Sequence, residues 1–259
     1  LSYFYLFSVQ RLGLTLEYIK RSGNMTSKVI KPPKLEFFFH QLNKKFGKFL
    51  VLRGYEFLPT GYSNDIDVFV PKDDLTRFFY CLHNLDGLET KLTILISRLG
   101  LIKCELIVDG VIIPFDILYG FYYFGLEYQD NDRLVRNSSP HHTGLFHTPD
   151  LSDEIRISLL KELLHNKRVR VDKAVYLSKM IEKCRSQLPT EYLSIENVKF
   201  LQESIAENRL YLPKISSSLK MKLIKYNLSK HFFTTVKNIM MFAAIKYIFK
   251  NYFHQRMIK

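Results

Sequence analysis

The chain has 259 residues, of which 47% are hydrophobic and 24% charged, a composition that excludes wholesale disorder and leaves enough chain for a sizeable core. Its 38 Lys and Arg outnumber 25 Asp and Glu, a net charge of +13, which directs attention to phosphate-bearing partners or an anionic membrane surface and says nothing of fold. The three cysteines, Cys81, Cys104 and Cys184, have the spacing of neither a disulfide framework nor a metal knuckle, which points to a reducing, cytoplasmic setting.

Residues 1–20 are apolar, but they lack a basic start and are interrupted by Gln10, Arg11 and Glu17, unlike a secretory signal. The first methionine is Met25, and the expectation is that residues 1–24 are an extension and that the working protein starts at Met25. After Pro32-Pro33, the spacing of Leu35, Phe38, Phe39, Leu42 and Phe46 predicts an amphipathic helix over 34–46. Residues 48–53 read as a strand running into Gly54. Residues 65–70 alternate with period two, so that Asp65, Asp67 and Phe69 share one face. Leu75, Phe78, Phe79 and Leu82 predict a second helix, with Asp73 and Asp74 in its first turn. Residues 92–97 and 103–108 read as strands. Asp109-Gly110 is a two-residue hairpin turn with 111–118 as its return arm, and Pro114 suggests an edge position or a bulge.

Beyond Pro149 the pattern becomes helical. Ser152 is read as an N-cap before Asp153, Glu154 and an apolar run to Leu164, followed by helices over 173–184, 196–206 and 219–228. Residues 208–259 contain no acid and eleven basic residues, so nearly all of the excess charge belongs to this segment. Within it the longest uncharged stretch, Asn238–Ile245, has eight residues, far short of the ~20 a membrane span requires. Packing as a helix is the leading expectation for 230–259. Peripheral contact with an anionic membrane at the inner face comes second and nucleic acid third. Lys230 and Lys237 fall nearly opposite Lys246 and Lys250 on a helical projection, which argues for a break or partial burial.

One constellation carries chemistry. Asp65 and Asp67, on one face of a strand, repel unless a cation sits between them, and Asp116 lies on a hairpin arm beyond. Three carboxylates suit hard divalent ions, Mg2+ or Mn2+, which are commonly completed by substrate phosphates. Gly54 permits close backbone approach to such phosphates. Arg53, Lys72 and Arg77 could neutralise phosphate charge, with Arg53 the best placed. His141, His142 and His147, and the acidic run Glu127, Asp130 and Asp132, read as loops.

The run LVLRGYEFLP…SNDIDVFV followed by DGVIIPFDIL resembles the nucleotidyltransferase superfamily of the DNA polymerase β type, in particular stand-alone bacterial members that accompany surface-polysaccharide synthesis. The resemblance covers roughly residues 45–120, with Gly54, Asp65, Asp67 and Asp116 on the family pattern. Tyr55 departs from it by replacing a small residue, and Ser63 and Asn64 could supply some of the missing phosphate contacts. It implies an α+β fold, a mixed sheet with flanking helices over 25–149 followed by a helical region over 150–259. It also implies metal-dependent transfer of a nucleoside monophosphate from an NTP such as ATP to a sugar, phospho-alcohol or glycan precursor. On that resemblance Asp65, Asp67 and Asp116 hold metal and Asp116 serves as base, while Arg53, Gly54, Ser63 and Asn64 bind the nucleotide. The alternatives are a non-catalytic module of the same fold that docks a membrane or partner, and nucleotide addition to RNA or protein.

Overall fold

The helical spacing of Leu35–Phe46 forms helix α1, which buries Leu35, Phe38, Phe39, Leu42 and Phe46. Gly47, at φ 88°, ends it by donating its N–H to the Asn43 carbonyl. The computed structural model describes residues 29–62, 65–170, 173–174, 176–177, 179, 199–201, 203–204, 207 and 209–257. After α1 come β1 (Leu50–Arg53), β2 (Ile66–Phe69), α2 (Leu75–His83), β3 (Thr90–Arg98), β4 (Leu101–Val108) and β5 (Val111–Leu118). Two short strands, β6 (Tyr122–Tyr123) and β7 (Leu126–Glu127), precede α3 (Asn131–Asn137), β8 (Ser139–Pro140), β9 (His147–Thr148) and α4 (Leu151–Lys161). The last element, α5, spans Pro213–Met257.

The fold is α+β. One seven-stranded sheet has the order β3-β4-β5-β2-β1-β9-β8, and β6 pairs with β7 apart from it. β2 with β5 and β1 with β9 are parallel, and the other pairs antiparallel. Period-two alternation gives the sheet two different faces. Val51, Ile66, Val68, Cys104, Leu106, Ile113, Phe115 and Ile117 pack in one core with the apolar stripes of α1 and α2. Leu50, Leu52 and Phe69 turn the other way and pack in a second core with Ile155, Leu159 and Leu160 of α4 and Ile215, Leu219 and Leu223 of α5. The acids of β2 and β5 lie on this second face, beneath α4.

Two local features set the register of that face. Asp109 and Gly110, both at positive φ, make the tight turn that pairs Val108 with Val111 and, further along, Lys103 with Asp116. In β1 the register slips by one between Val51 and Arg53, so that Arg53 rather than Leu52 stands opposite Asp67. A bulge of this kind re-aims a side chain.

Pro114 has the edge position expected of it: β4 flanks it on one side, but the β2 pairing of β5 begins only at Phe115, so Pro114 needs no donor there. Several other expectations are corrected. The cap of α4 is Asp150, whose carboxylate accepts from the Ser152 N–H. Of the acidic run expected to be loop, Glu127 lies in β7 and Asp130 caps α3 by accepting from the Arg133 N–H. Residues 173–174, 176–177, 179, 199–201 and 203–204 are helical, and the remainder of the helices expected over 173–184 and 196–206 lies outside the described residues. The helix expected over 219–228 extends to Met257 as part of α5. It is sharply bent, because Thr235 donates to the Asn227 carbonyl at 3.0 Å, a separation of about 12 Å along a straight helix. Among the described residues no helix is long and apolar enough to cross a membrane.

Phe39 is fully buried, with its ring against Phe38, Phe49 and Phe146. Phe39→Ala should cost about 3–5 kcal/mol of stability in a urea titration; a loss below about 1 kcal/mol would contradict this packing.

Candidate functional site

Residues in register on adjacent strands, with side chains on one face, are close neighbours. Arg53 pairs with Asp67 across β1 and β2, Asp67 with Asp116 across β2 and β5, and Asp116 with Lys103 across β5 and β4. A single row of cation, carboxylate, carboxylate, cation therefore crosses four strands. Asp65, just before β2, joins the pair, and carboxylate oxygens of Asp65, Asp67 and Asp116 all lie within 4.8 Å of one another. Asp67 and Asp116 are only 4% and 6% exposed, so water disperses little of their charge.

The flanking cations hold these carboxylates. Arg53 forms a two-pronged ion pair with Asp67, through Nε to one oxygen and through Nη2 to the other at 3.2 Å. Burial alone would depress the Arg53 guanidinium, but Asp67, aided by Asp65 and Asp116, outweighs it and holds Arg53 above its ordinary value. Lys103 Nζ donates to Asp116 at 2.5 Å and lies 3.9 Å from Asp65. Burial pushes Asp116 above the usual carboxylate value, Lys103 pulls it back, and repulsion from Asp65 and Asp67 adds to the rise.

Above the row is a cavity of about 1050 Å³, lined from the sheet side by Arg53, Gly54, Asp65, Asp67 and Asp116. Its opposite wall is one face of α4 and the turn that follows it. Glu154, Ile157, Ser158, Lys161, Glu162 and His165 all line it, at the three- and four-residue spacing of a helical stripe. Lys161 has no ion-pair partner among the described residues. Burial, then repulsion from Arg53, holds its ammonium below the ordinary lysine value, and the three aspartates oppose that shift.

Gly54 adopts φ 70° and ψ 20°, and a side chain there would meet open space, so left-handed backbone is what glycine provides at this turn. Tyr55, which replaces a small residue of the family pattern, does not line the cavity. Its hydroxyl donates to Glu154 at 2.7 Å, and the Tyr176 hydroxyl donates to the other oxygen of the same carboxylate. Tyr55 thereby ties the Gly54 turn to α4. Burial raises Glu154 above its ordinary value, while the two tyrosine hydroxyls draw it back.

Of the expected site residues, Asp65, Asp67, Asp116, Arg53 and Gly54 come together, and Ser63 and Asn64 lie outside the described residues. Lys72 and Arg77 are not at the cavity. Arg77 instead caps the end of α1, donating to the Phe46 carbonyl at 3.1 Å and stacking over the Phe46 ring. His141 is nearly buried and stacks on Phe146, a packing role. Lys103, Lys161 and Glu154 were not among the expected residues. Lys103 was within reach, because counting back equally from the Asp109-Gly110 turn places it opposite Asp116. No protein-family model, curated protein or solved structure matches this chain.

Lys103→Met removes one counter-cation from three crowded carboxylates, so its melting temperature in EDTA should fall by about 3–10 °C and recover on addition of Mn2+. An unchanged melting temperature in EDTA would contradict the role given to Lys103. For Glu154 the folded-state value lies above its ordinary 4.5, so its contribution to stability is present below pH 4.5 and is lost as pH rises through the folded value. Glu154→Gln has no such loss. The melting temperature of the variant relative to wild type should therefore climb between pH 4.5 and 7, and a constant difference would contradict the shift.

Proposed function

We propose that the protein is a metal-dependent nucleotidyltransferase that moves a nucleoside monophosphate from an NTP to a hydroxyl-bearing acceptor with release of pyrophosphate. The observation that carries this reading is the cluster of three carboxylates on neighbouring strands, open to a cavity beside a left-handed glycine turn. The donor set fits the metal: three carboxylates offer hard oxygen ligands of the kind Mg2+ and Mn2+ prefer, without nitrogen or sulfur. Asp65, Asp67 and Asp116 would hold the metal, which when bound supplies charge neutralisation of the triphosphate and activation of the attacking oxygen.

The chain's own residues do the rest. Arg53 fixes Asp67 in orientation through its two-pronged grip. The Gly54 turn leaves room for phosphate oxygens near backbone N–H groups, at the place where a Cβ would otherwise project. Lys161, half-buried and without an ion-pair partner among the described residues, faces the carboxylates across the cavity and meets negative charge brought in by the donor. Asp116 stands next to the acceptor side of the row and is assigned to receive the acceptor's proton. The residue pattern quoted above for the family supports this assignment of roles, as does the mixed sheet that carries it.

A second reading, a non-catalytic module of the same fold, draws on the finding that Arg53 and Lys103 already neutralise much of the carboxylate charge. Calorimetric titration of an NTP panel separates the two. The proposal expects at least one NTP to bind with Mg2+ present, and Asp65→Asn/Asp67→Asn to weaken that binding by about tenfold or more while the protein stays folded. If no NTP binds the folded wild type in Mg2+, the enzymatic reading fails and the non-catalytic module stands.

A further inference from the structure

The cavity is larger than one donor needs, since about 1050 Å³ stands at the top of the ~300–1,000 Å³ range of ordinary ligand sites. Its two ends differ in chemistry, and two independent rulers show how they are arranged. Along the sheet the order β1-β2-β5-β4-β3 puts Gly54, at the end of β1, on one side of the aspartates and Arg98, at the end of β3, on the other. Those two strands are four steps apart, or roughly 19 Å. Along α4 and the turn that follows it the cavity-facing stripe runs from Glu154 through Lys161 to His165, a rise of roughly 16 Å. Glu154 is hydrogen-bonded to Tyr55 beside Gly54, which fixes that end at the glycine turn. The electrostatic neighbours of Lys161 include Arg53 and the three aspartates, whereas those of His165 are led by Arg98 and Lys161. Both rulers therefore read the same way: glycine turn, aspartates with Lys161, then Arg98 with His165.

The Arg98 end is the more basic end of the cavity, with Arg98, His165 and Arg170 in its lining. The Arg98 guanidinium has no ion-pair partner among the described residues, although its backbone carbonyl accepts from the Tyr119 hydroxyl at 3.0 Å. The His165 ring is held edge-on by Tyr123 and Tyr128, with centroids 5.2 and 6.4 Å away, so its position in the wall is set by packing. Burial first, then the nearby charges of Arg98 and Lys161, hold His165 below the ordinary histidine value. Glu162, the acid that acts on His165, is engaged: Arg170 reaches both its oxygens at 3.1 and 3.2 Å, and Asn166 donates at 3.0 Å. Lys220 adds a further cation, resting over the Tyr123 ring at 5.1 Å. Arg98, a guanidinium of the cavity wall without an ion-pair partner among the described residues, can meet an anion, and a guanidinium with an imidazole in the same wall suits phosphate oxygens in particular.

We infer that Arg98 and His165, with Lys161 between them and the aspartates, form a phosphate-binding subsite for the acceptor, so that the acceptor is a phosphorylated hydroxyl compound, such as a sugar phosphate or polyol phosphate. This rests on the reading of the aspartates and the Gly54 turn as the donor site. A donor held at that turn has its reacting phosphorus at the aspartates, and the Arg98 end lies beyond them on the opposite side, where the attacking molecule must enter.

Arg98→Gln and His165→Gln, each at an exposed position in the cavity wall, provide the test. Glycerol 3-phosphate, glycerol, Mn2+ and an NTP panel are titrated separately into the full-length wild type and both variants, with melting temperatures recorded to confirm folding. Wild type is expected to bind glycerol 3-phosphate and not glycerol, and each variant to weaken that binding by about tenfold or more. Affinities for Mn2+ and for the NTP should stay within about twofold, because those ligands are held at the other end. If both variants bind glycerol 3-phosphate as wild type does, or if wild type does not bind it, the subsite is wrong. If the variants weaken NTP binding as much as glycerol 3-phosphate binding, the phosphate held is the donor's and the acceptor assignment fails. Failure of wild type to bind Mn2+ or any NTP is a different result, and it overturns the donor-site reading beneath the inference.

Discussion

Two carboxylates in register on adjacent parallel strands set the terms for the rest of this molecule. Asp67 and Asp116 face the same way from β2 and β5, nearly buried, with Asp65 close enough to share in their repulsion. Charges so placed must be protonated, hydrated or met by cations. Burial removes the second option, and the structure answers with the third on both sides. Arg53 comes from β1 and Lys103 from β4, so a four-strand row alternates outward from negative to positive. The bulge in β1 is part of this answer, because without the one-residue slip Leu52 would stand against Asp67. The proposed chemistry draws on the same demand for positive charge, met there by a divalent ion.

The wall opposite the row is ordered to match. Glu154 and Lys161 of α4, with His165 of the turn that follows it, form one stripe and meet three different parts of the sheet. Glu154 accepts hydroxyl donors from Tyr55 and Tyr176 and so anchors the glycine turn. Tyr55, which departs from the family pattern, thus has a structural reason to be a tyrosine. Lys161 faces the aspartates, and His165 faces Arg98. The strong positive balance of the chain contributes little here. The cavity has its own acids and bases in close opposition, whereas the excess of basic residues belongs to 208–259.

How much could be seen in advance depended on the range of the interaction. Period-two alternation placed Asp65 and Asp67 on one face, and a two-residue turn placed Lys103 opposite Asp116, since both follow from local geometry. The neighbour of Asp67 was not legible, because the bulge between Val51 and Arg53 leaves no mark in composition or periodicity. The pairing of β2 with β5 is long-range and parallel, and no local signal in either segment announces it. Lys161 and Glu154 gain their meaning only when α4 docks over the sheet. On a helix read in isolation they are an end-of-helix cation and a first-turn acid, both ordinary by the dipole rule. The misplaced cap has a simpler cause: Asp150 and Ser152 are both good caps, and the choice between them is made by where the chain leaves β9.

The most direct test of the carboxylate row as a metal centre is a crystal structure of wild-type protein soaked with Mn2+, with anomalous scattering recorded at the manganese edge. The account predicts an anomalous peak bounded by oxygens of Asp65, Asp67 and Asp116, with Lys103 Nζ withdrawn from its 2.5 Å contact with Asp116 and Arg53 still gripping Asp67. A map without a peak at saturating Mn2+, in which Lys103 keeps its contact with Asp116, would contradict it.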